Sequence, residues 1–266
     1  MLKFIILSED SAFNTHLFLQ GLKNHVIGDF SATVIYKAST PDYSLMYETV
    51  LNEFSDTCDF VKTENFKKQI LTDLEERTSQ DFVCFCTSED LFYRPFVIPN
   101  LEEVFSNDKI LSFQTRLGKN IKKNTSYGSE NIFKPENDDK VLVWDWSVHY
   151  VDFGEPFSIH GSIYRKKEIQ KIIKKIPFES REELEEGFGM FGNYNKNKLA
   201  CYKTSSLLTQ QNDSNPKTAH LTKMLTNIKL MKGERFKLSE FETSKTEEIY
   251  KDIGVTKLLT NQKIKK

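Results

Sequence analysis

The sequence contains no apolar run long enough to cross a bilayer, and its N-terminus lacks a long apolar segment followed by small residues. The first residues, Met1–Ser8, have instead the length and composition of a buried strand. We therefore expect a soluble, cytoplasmic protein with no transmembrane segment and no signal peptide.

Net charge is also nearly absent, since 37 basic residues oppose 38 acidic ones and leave −1 at pH 7. A protein that binds nucleic acid through bulk positive charge is normally strongly basic. Basic residues cluster over Lys166–Lys175 and at Lys263–Lys266, which a solvated helix face and a chain end would explain. We expect no nucleic-acid partner.

Cysteine is scarce, and its four positions form no Cys-x-x-Cys pair and have no histidine at zinc-ligand spacing. Cys84 and Cys86 are separated by one residue, so in a strand they would point to the same face. Residues so placed on one strand have poor geometry for a disulfide. We interpret Cys58, Cys84, Cys86 and Cys201 as reduced core residues.

What the sequence does contain is enough apolar material for a large core, with 38% hydrophobic residues and 21 phenylalanines among 266 residues. Short apolar runs alternate with helical patterns in the first part, which is typical of a mostly parallel sheet. Thr40 followed by Pro41 is a typical helix start. The predicted strands are Leu2–Leu7, Thr33–Tyr36, Asp59–Lys62 and Asp81–Cys86, and the predicted helices follow Ser11, follow Thr40 and cover Glu64–Arg77.

After about residue 95 this alternation ends. Asn120–Asp139 is polar and reads as a long surface loop, a type of segment that is often functional. The remaining predicted strands are Lys109–Phe113, Val141–Trp146, Phe157–Arg165 and Leu199–Tyr202, and the predicted helices are Pro99–Phe105, Lys166–Lys175, Ser180–Glu186 and Thr218–Met231.

An acidic turn, Thr87-Ser88-Glu89-Asp90, follows the strand Asp81–Cys86. Ligands of such sheets bind beyond the carboxyl ends of the strands, which is where this turn would lie. Buried carboxylates need partners, and a divalent cation or Arg94 would serve. A solvated turn is the alternative.

The residues around the turn add to this interpretation. Phe82–Pro95 resembles the metal-site strand of nucleotide-sugar glycosyltransferases with the GT-A fold, and more narrowly a small group of bacterial and phage-type glycosyltransferase-like proteins. In that group the strand ends in acidic residues followed by a similar Phe-Tyr-Arg-Pro segment. Other segments resemble the same group in the same order, and they are Val34–Ser39, Phe113–Asn120, Trp144–Trp146 and Ser158–Arg165.

The resemblance implies an α/β fold of the GT-A type, with a Rossmann-like, mostly parallel sheet flanked by helices. It implies a glycosyltransferase domain over residues 1–207, with a nucleotide-binding half (1–95) and an acceptor half (96–207), followed by a helical, charged C-terminal extension (208–266). The implied activity is transfer of a sugar from a nucleotide-diphosphate sugar to a carbohydrate or glycoconjugate acceptor, dependent on Mn²⁺ or Mg²⁺.

The resemblance also implies roles for individual residues. Asp90 is the expected metal ligand. Arg116 can in addition fork onto phosphate oxygens, although a turn with exposed bases would also explain it. The residues expected to bind the nucleotide sugar are Ser8, Glu9, Tyr36, Lys37, Ser88, Glu89 and Arg116.

The acceptor is expected to meet Trp144, Asp145, Trp146 and His160, because aromatic faces stack on sugars and carboxylates bind hydroxyls; an aromatic core strand is the alternative. Inverting transfer needs a carboxylate that deprotonates the acceptor. Glu183 and Glu185 are the candidates, although Ser180 with Glu183 also forms a helix capping box.

Two further functions stay open. Ser88 and Glu89 stand where the group has aspartates, and His160 stands where an acidic residue is expected, so the chain could be a non-catalytic GT-A protein that binds a glycan or a protein. A nucleotidyltransferase would share the sheet and the metal chemistry. It usually has a Gly-rich, basic loop near the N-terminus, which Ser8–Ser11 does not provide.

Overall fold

The computed structural model describes residues 1–122, 133, 135–149, 151–189, 196–210, 226–232 and 250–251. The strands are β1 (Leu2–Glu9), β2 (Val26–Ile27), β3 (Phe30–Lys37), β4 (Asp59–Lys62), β5 (Phe82–Thr87), β6 (Asp90–Phe92), β7 (Phe96–Val97), β8 (Ile110–Gln114), β9 (Val141–Asp145), β10 (Ser162–Arg165), β11 (Lys198–Tyr202), β12 (Leu207–Gln210) and β13 (Tyr250–Lys251). The helices are α1 (Ala12–His25), α2 (Pro41–Phe54), α3 (Phe66–Thr72), α4 (Leu101–Val104), α5 (Lys166–Lys175) and α6 (Arg181–Phe188).

Eight of these strands form one sheet, in the order β4-β3-β1-β5-β10-β8-β11-β9. The first four strands are parallel, as predicted from the alternation of strands and helices. β10 is antiparallel to both β5 and β8, β11 is parallel to β8, and β9 is antiparallel to β11. The expected mostly parallel α/β sheet is confirmed.

Both faces of the sheet are covered by helices, which explains why its central strands are apolar at every position. In β1, Phe4 and Ile6 belong to the core shared with α1 and α2, whereas Ile5 and Leu7 belong to the core shared with α3, α5 and α6. All four side chains are fully buried. Alternate residues of one strand therefore supply both cores.

The start predicted for α2 and the start predicted for the helix after it have different outcomes in the structure. That of α2 is confirmed, since Thr40 Oγ1 accepts a hydrogen bond from Tyr43 N at 3.3 Å. The helix predicted over Glu64–Arg77 begins later, because Asn65 caps it, and it continues beyond α3 as a π-helical turn, Asp73–Arg77.

Gly161 shortens the strand predicted over Phe157–Arg165. Its φ of +65° lies in the left-handed region, so the extended conformation begins only at Ser162. The Gly161 amide donates to Phe85 O at 2.8 Å, and its carbonyl accepts from Thr115 N at 3.0 Å. This turn fixes the preceding residue, His160, beside the end of β5.

A second sheet, which was not predicted from the sequence, has the order β13-β12-β6. β12 begins at residue 207, the predicted domain boundary, and pairs antiparallel with β6 so that Thr209 lies opposite Asp90. Residues 226–231 are helical, in agreement with part of the predicted helix Thr218–Met231, whose first residues lie outside the described ranges. The division of the chain into a domain and an extension stays a prediction.

Residues 123–132 and 134, within the predicted loop Asn120–Asp139, lie outside the described residues. The four cysteines are buried and free, as predicted, with the sulfur atoms of Cys84 and Cys86 3.8 Å apart on one face of β5. Across the described residues, none of the helices combines the length and the apolar character that crossing a membrane requires.

Candidate functional site

A cleft of about 420 Å³ opens where β5 ends and α6 begins. The carboxyl end of a central parallel strand is the usual ligand edge of such a sheet. The cleft is lined by Thr87, Glu89, Ile159, His160, Arg181, Glu182, Glu185, Glu186, Thr209 and Gln210. It therefore combines the acidic turn with the turn before β10, with α6 and with β12.

Asp90 lies at the base of this site and is 2% exposed. Its Oδ2 accepts a hydrogen bond from the Thr87 amide at 2.8 Å, and its Oδ1 accepts one from Thr209 Oγ1 at 2.7 Å. The same Oδ1 lies 2.9 Å from His160 Nδ1. Both carboxylate oxygens are thus occupied by donors from three different segments of the chain.

Glu89 is 3% exposed and forms an ion pair with Arg181, the first residue of α6. Arg181 Nε also donates to Glu182 Oε1 at 2.7 Å. Burial disfavours a charged guanidinium, but the charges of Glu89 and then Glu182 outweigh this effect, and the pKa of Arg181 is raised. The ion pair joins the acidic turn to α6 across the cleft.

His160 completes the cluster. Its side chain is 18% exposed, and besides Asp90 its Nδ1 meets Thr87 Oγ1 at 3.3 Å. Burial alone would lower the pKa of this imidazole, but the negative charge and hydrogen bond of Asp90, together with the charge of Glu185, raise it. His160 stands at the position where the resemblance led us to expect an acidic residue. In the structure this histidine is paired with Asp90.

These contacts bear on the expected divalent cation. An oxygen-ligated Mn²⁺ or Mg²⁺ needs several free carboxylate or carbonyl oxygens. Here Asp90 accepts from protein donors at both oxygens, and Glu89 is held by a cationic side chain. Within the described ranges no group of three or more histidine, cysteine, aspartate or glutamate side chains is arranged to hold a metal ion. The donor set present does not fit the metal site that the resemblance implies at Asp90.

The two candidate catalytic carboxylates on α6 have different surroundings. Glu183 forms the capping box with Ser180, and hydrogen bonds from the amides of Glu179 and Ser180 lower its pKa. Glu185 lies two residues further along α6, lines the cleft, and accepts a hydrogen bond from Ile159 N at 2.9 Å. The structure therefore brings Glu185, and not Glu183, to the cleft.

Ser8 and Tyr36, which were expected to bind the nucleotide sugar, contact the helices α1 and α2. Ser8 is fully buried, and its Oγ lies 2.7 Å from Thr15 Oγ1 and 2.5 Å from Tyr47 OH. Tyr36 stacks on Tyr47 with ring centroids 4.3 Å apart. Glu9, next along β1, is partly exposed and is not among the residues lining the cleft.

Lys37 and Arg116 lie outside the cleft lining as well. Lys37 Nζ donates to Glu179 O at 3.0 Å and lies 4.7 Å from the centre of the Phe66 ring. Arg116 is fully buried and donates from Nη2 to Glu155 Oε2 at 3.0 Å. Ser88 is buried in the turn itself, where its Oγ donates to Glu89 Oε2 at 3.2 Å.

The aromatic segment expected at the acceptor site lies at the end of β9, at the far edge of the sheet. Trp144 is fully buried and its Nε1 donates to Phe153 O at 2.9 Å; Trp146 Nε1 donates to Lys196 O at 3.0 Å. Asp145 accepts from Ser147 N at 2.9 Å. Of the four residues expected to bind the acceptor, only His160 lines the cleft.

Several residues of the cleft were not singled out from the sequence, among them Arg181, Thr209 and Gln210. Arg181 stands within the capping-box segment, where it resembled an ordinary helix-surface residue. Thr209 and Gln210 belong to β12, which had no recognisable strand pattern. A basic residue at the start of an acidic helix was the one available signal for Arg181.

Comparison with known proteins adds to the geometry. No protein-family model matches the chain. The bifunctional glycosyltransferase pgtA of Dictyostelium discoideum is 26% identical over 197 residues, which are 66% of this chain and 25% of that protein. The chain thus spans about a quarter of the length of this curated relative.

Among solved structures, residues 1–349 of TarS from S. aureus, in complex with UDP-GlcNAc, superpose with a TM-score of 0.51 at 13% identity. The match covers 82% of this chain and 60% of that one. A second TarS structure of the same residues gives a TM-score of 0.50 at 12% identity and covers 98% of this chain and 73% of that one. In sequence and in fold, the chain is therefore similar to nucleotide-sugar glycosyltransferases of the GT-A type.

Proposed function

We propose that the chain is a glycosyltransferase that moves a sugar from a nucleotide-diphosphate sugar to a hydroxyl group of a carbohydrate or glycoconjugate acceptor. The observation that carries the proposal is the carboxylate of Glu185 in the cleft at the carboxyl end of β5. The similarity to pgtA and the TarS fold, solved with UDP-GlcNAc, support the class of donor.

In a transfer with inversion, Glu185 would act as the general base. It removes the proton from the acceptor hydroxyl while that oxygen attacks the anomeric carbon of the donor. The bond from this carbon to the diphosphate breaks, and the nucleoside diphosphate leaves with the electron pair. The hydrogen bond from Ile159 N to Glu185 Oε2 holds the carboxylate in place for this role.

The proposal is tested with a panel of UDP-, GDP- and CDP-sugars. We expect one nucleotide class to raise the melting temperature and its sugar to be slowly hydrolysed, with release of the nucleoside diphosphate. Glu185→Gln should lower turnover by a factor of about 10² or more, as expected for loss of a general base, while the nucleotide still stabilises the protein. No stabilisation by any nucleotide would contradict the proposal.

Glu183→Gln is the matched control, because it makes the same change on the same helix at a carboxylate that caps the helix instead of lining the cleft. It should keep wild-type turnover. The second candidate function, a non-catalytic sugar-binding protein, is favoured by the paired state of Glu89 and Asp90. Stabilisation by a nucleotide sugar without any turnover would support that alternative.

A further inference from the structure

The acidic turn carries two negative charges that the chain itself already compensates. Glu89 and Asp90 are both almost fully buried, so each needs partners. Glu89 has the guanidinium of Arg181, and Asp90 has the Thr87 amide, the Thr209 hydroxyl and the His160 ring. A cation entering the turn would have to displace these donors and separate Glu89 from Arg181.

Arg181 is suited to a diphosphate. Its guanidinium stays charged at every pH at which a protein folds, and its planar fork of donors matches phosphate oxygens. Nη1 is used by Glu89 and Nε by Glu182. Nη2 makes no hydrogen bond to any of the described residues, and the side chain lines the cleft. One edge of the guanidinium is thus available to a ligand.

Apart from His160, the other charged residues of the cleft are acidic, so binding of a diphosphate there requires the positive charge of Arg181. Glu182, Glu185 and Glu186 also line it, so a diphosphate would be repelled if no positive charge faced it. Among the residues that line the cleft, Arg181 is the permanently charged base.

We propose that this chain binds its nucleotide-sugar donor without a divalent cation, and that the guanidinium of Arg181 contacts the diphosphate in its place. The inference rests on the proposed function, since it concerns how that donor is held. The role that the resemblance assigns to a metal ion is thus filled by the side chain of Arg181 on α6.

The test measures binding of UDP and UDP-sugars, with the other nucleotides of the panel, by calorimetry in EDTA and again in Mn²⁺. We expect the wild-type dissociation constant to agree within about twofold between the two conditions. Electron paramagnetic resonance should show no tightly bound Mn²⁺. Donor binding that disappears in EDTA and returns with Mn²⁺ would overturn the inference but leave the proposed function intact. Absence of nucleotide binding in both conditions would overturn both.

Two single variants test whether Arg181 is the positively charged residue that binds the donor. Arg181→Gln should weaken donor binding at least tenfold in EDTA, and Mn²⁺ should restore part of it, because Mn²⁺ can then replace the positive charge that Arg181 places beside Glu89. The matched control is Arg94→Gln, whose guanidinium packs on the Tyr93 ring away from the cleft lining, and which should bind the donor like the wild type. Wild-type affinity in Arg181→Gln would contradict the proposal.

A double variant controls for unfolding, because Arg181→Gln removes the guanidinium that is paired with the buried carboxylate of Glu89. Arg181→Gln combined with Glu89→Gln removes both charges together, so circular dichroism should show a folded protein. This double variant should lose donor binding in EDTA and should not regain it with Mn²⁺. Unchanged donor binding in the folded double variant would also count against the role of Arg181.

Discussion

His160 Nδ1 lies 2.9 Å from Asp90 Oδ1, although the two residues are 70 positions apart in the sequence. The contact ties the turn before β10 to the acidic turn after β5. Charges facing the imidazole come from Asp90, Glu185 and Arg116, and their sum raises the pKa of His160.

A raised pKa means that the folded state binds the proton more tightly than the unfolded chain does. The stabilisation from protonated His160 is therefore complete below the usual pKa of 6.5 and is lost as the pH rises through the higher pKa of the folded state. We expect the free energy of unfolding, measured in urea from pH 6 to pH 9, to fall in this window. His160→Gln should flatten the curve, and parallel curves for the two proteins would contradict the assignment.

Ser8 was expected at the nucleotide, but its hydroxyl joins Thr15 to Tyr47 within the core. Ser8→Ala should therefore lower the free energy of unfolding by about 1–2 kcal/mol, the usual effect of removing a buried hydrogen-bonding group. Donor affinity should stay within about twofold of wild type. Weaker donor binding with an unchanged melting temperature would instead support the role implied by the resemblance.

Gly161 should not tolerate a side chain. Its φ is +65°, and an added Cβ would lie 2.2 Å from Thr115 Oγ1. Gly161→Ala should destabilise the fold by about 2 kcal/mol or more, measured by chemical denaturation. Gly189→Ala is the control, because that glycine has helical φ and nothing within 4 Å of the added carbon, so it should be neutral or slightly stabilising. Equal effects of the two changes would contradict this account.

A substitution of Trp144 tests whether this residue stabilises the core or binds the acceptor. Trp144→Phe removes the hydrogen bond to Phe153 O and leaves unfilled volume in a buried site. We expect a loss of about 2 kcal/mol in unfolding free energy. Once an acceptor is identified, its KM should be unchanged. A large rise in KM without loss of stability would show that the segment binds the acceptor.

The parallel half of the fold could be predicted from the sequence because strands buried on both faces leave a continuous apolar run, as in Leu2–Leu7 and Asp81–Cys86. The acidic turn could be placed at the ligand edge for the same reason. The partners of its carboxylates could not be predicted, since Arg181 is 92 positions from Glu89 and Thr209 is 119 positions from Asp90. No local pattern carries information about such contacts.

The choice between Glu183 and Glu185 shows the same limit at short range. Both stand in the first two turns of a helix, where acidic residues are favoured whatever their function. The capping box was visible in the sequence and occupies Glu183. That Glu185 accepts from Ile159 N depends on how α6 docks against the turn before β10, which follows from tertiary packing.

The position of β10 has a consequence for how the chain is made. Because β10 separates β5 from β8, β5 has no partner on that side until residues 162–165 have left the ribosome. Until then, an apolar strand edge that could pair with another chain stays open. We expect nascent chains stalled before residue 162 to engage chaperones or to aggregate, and chains released beyond β10 to be the first in which β5 is paired on both sides and His160 reaches Asp90.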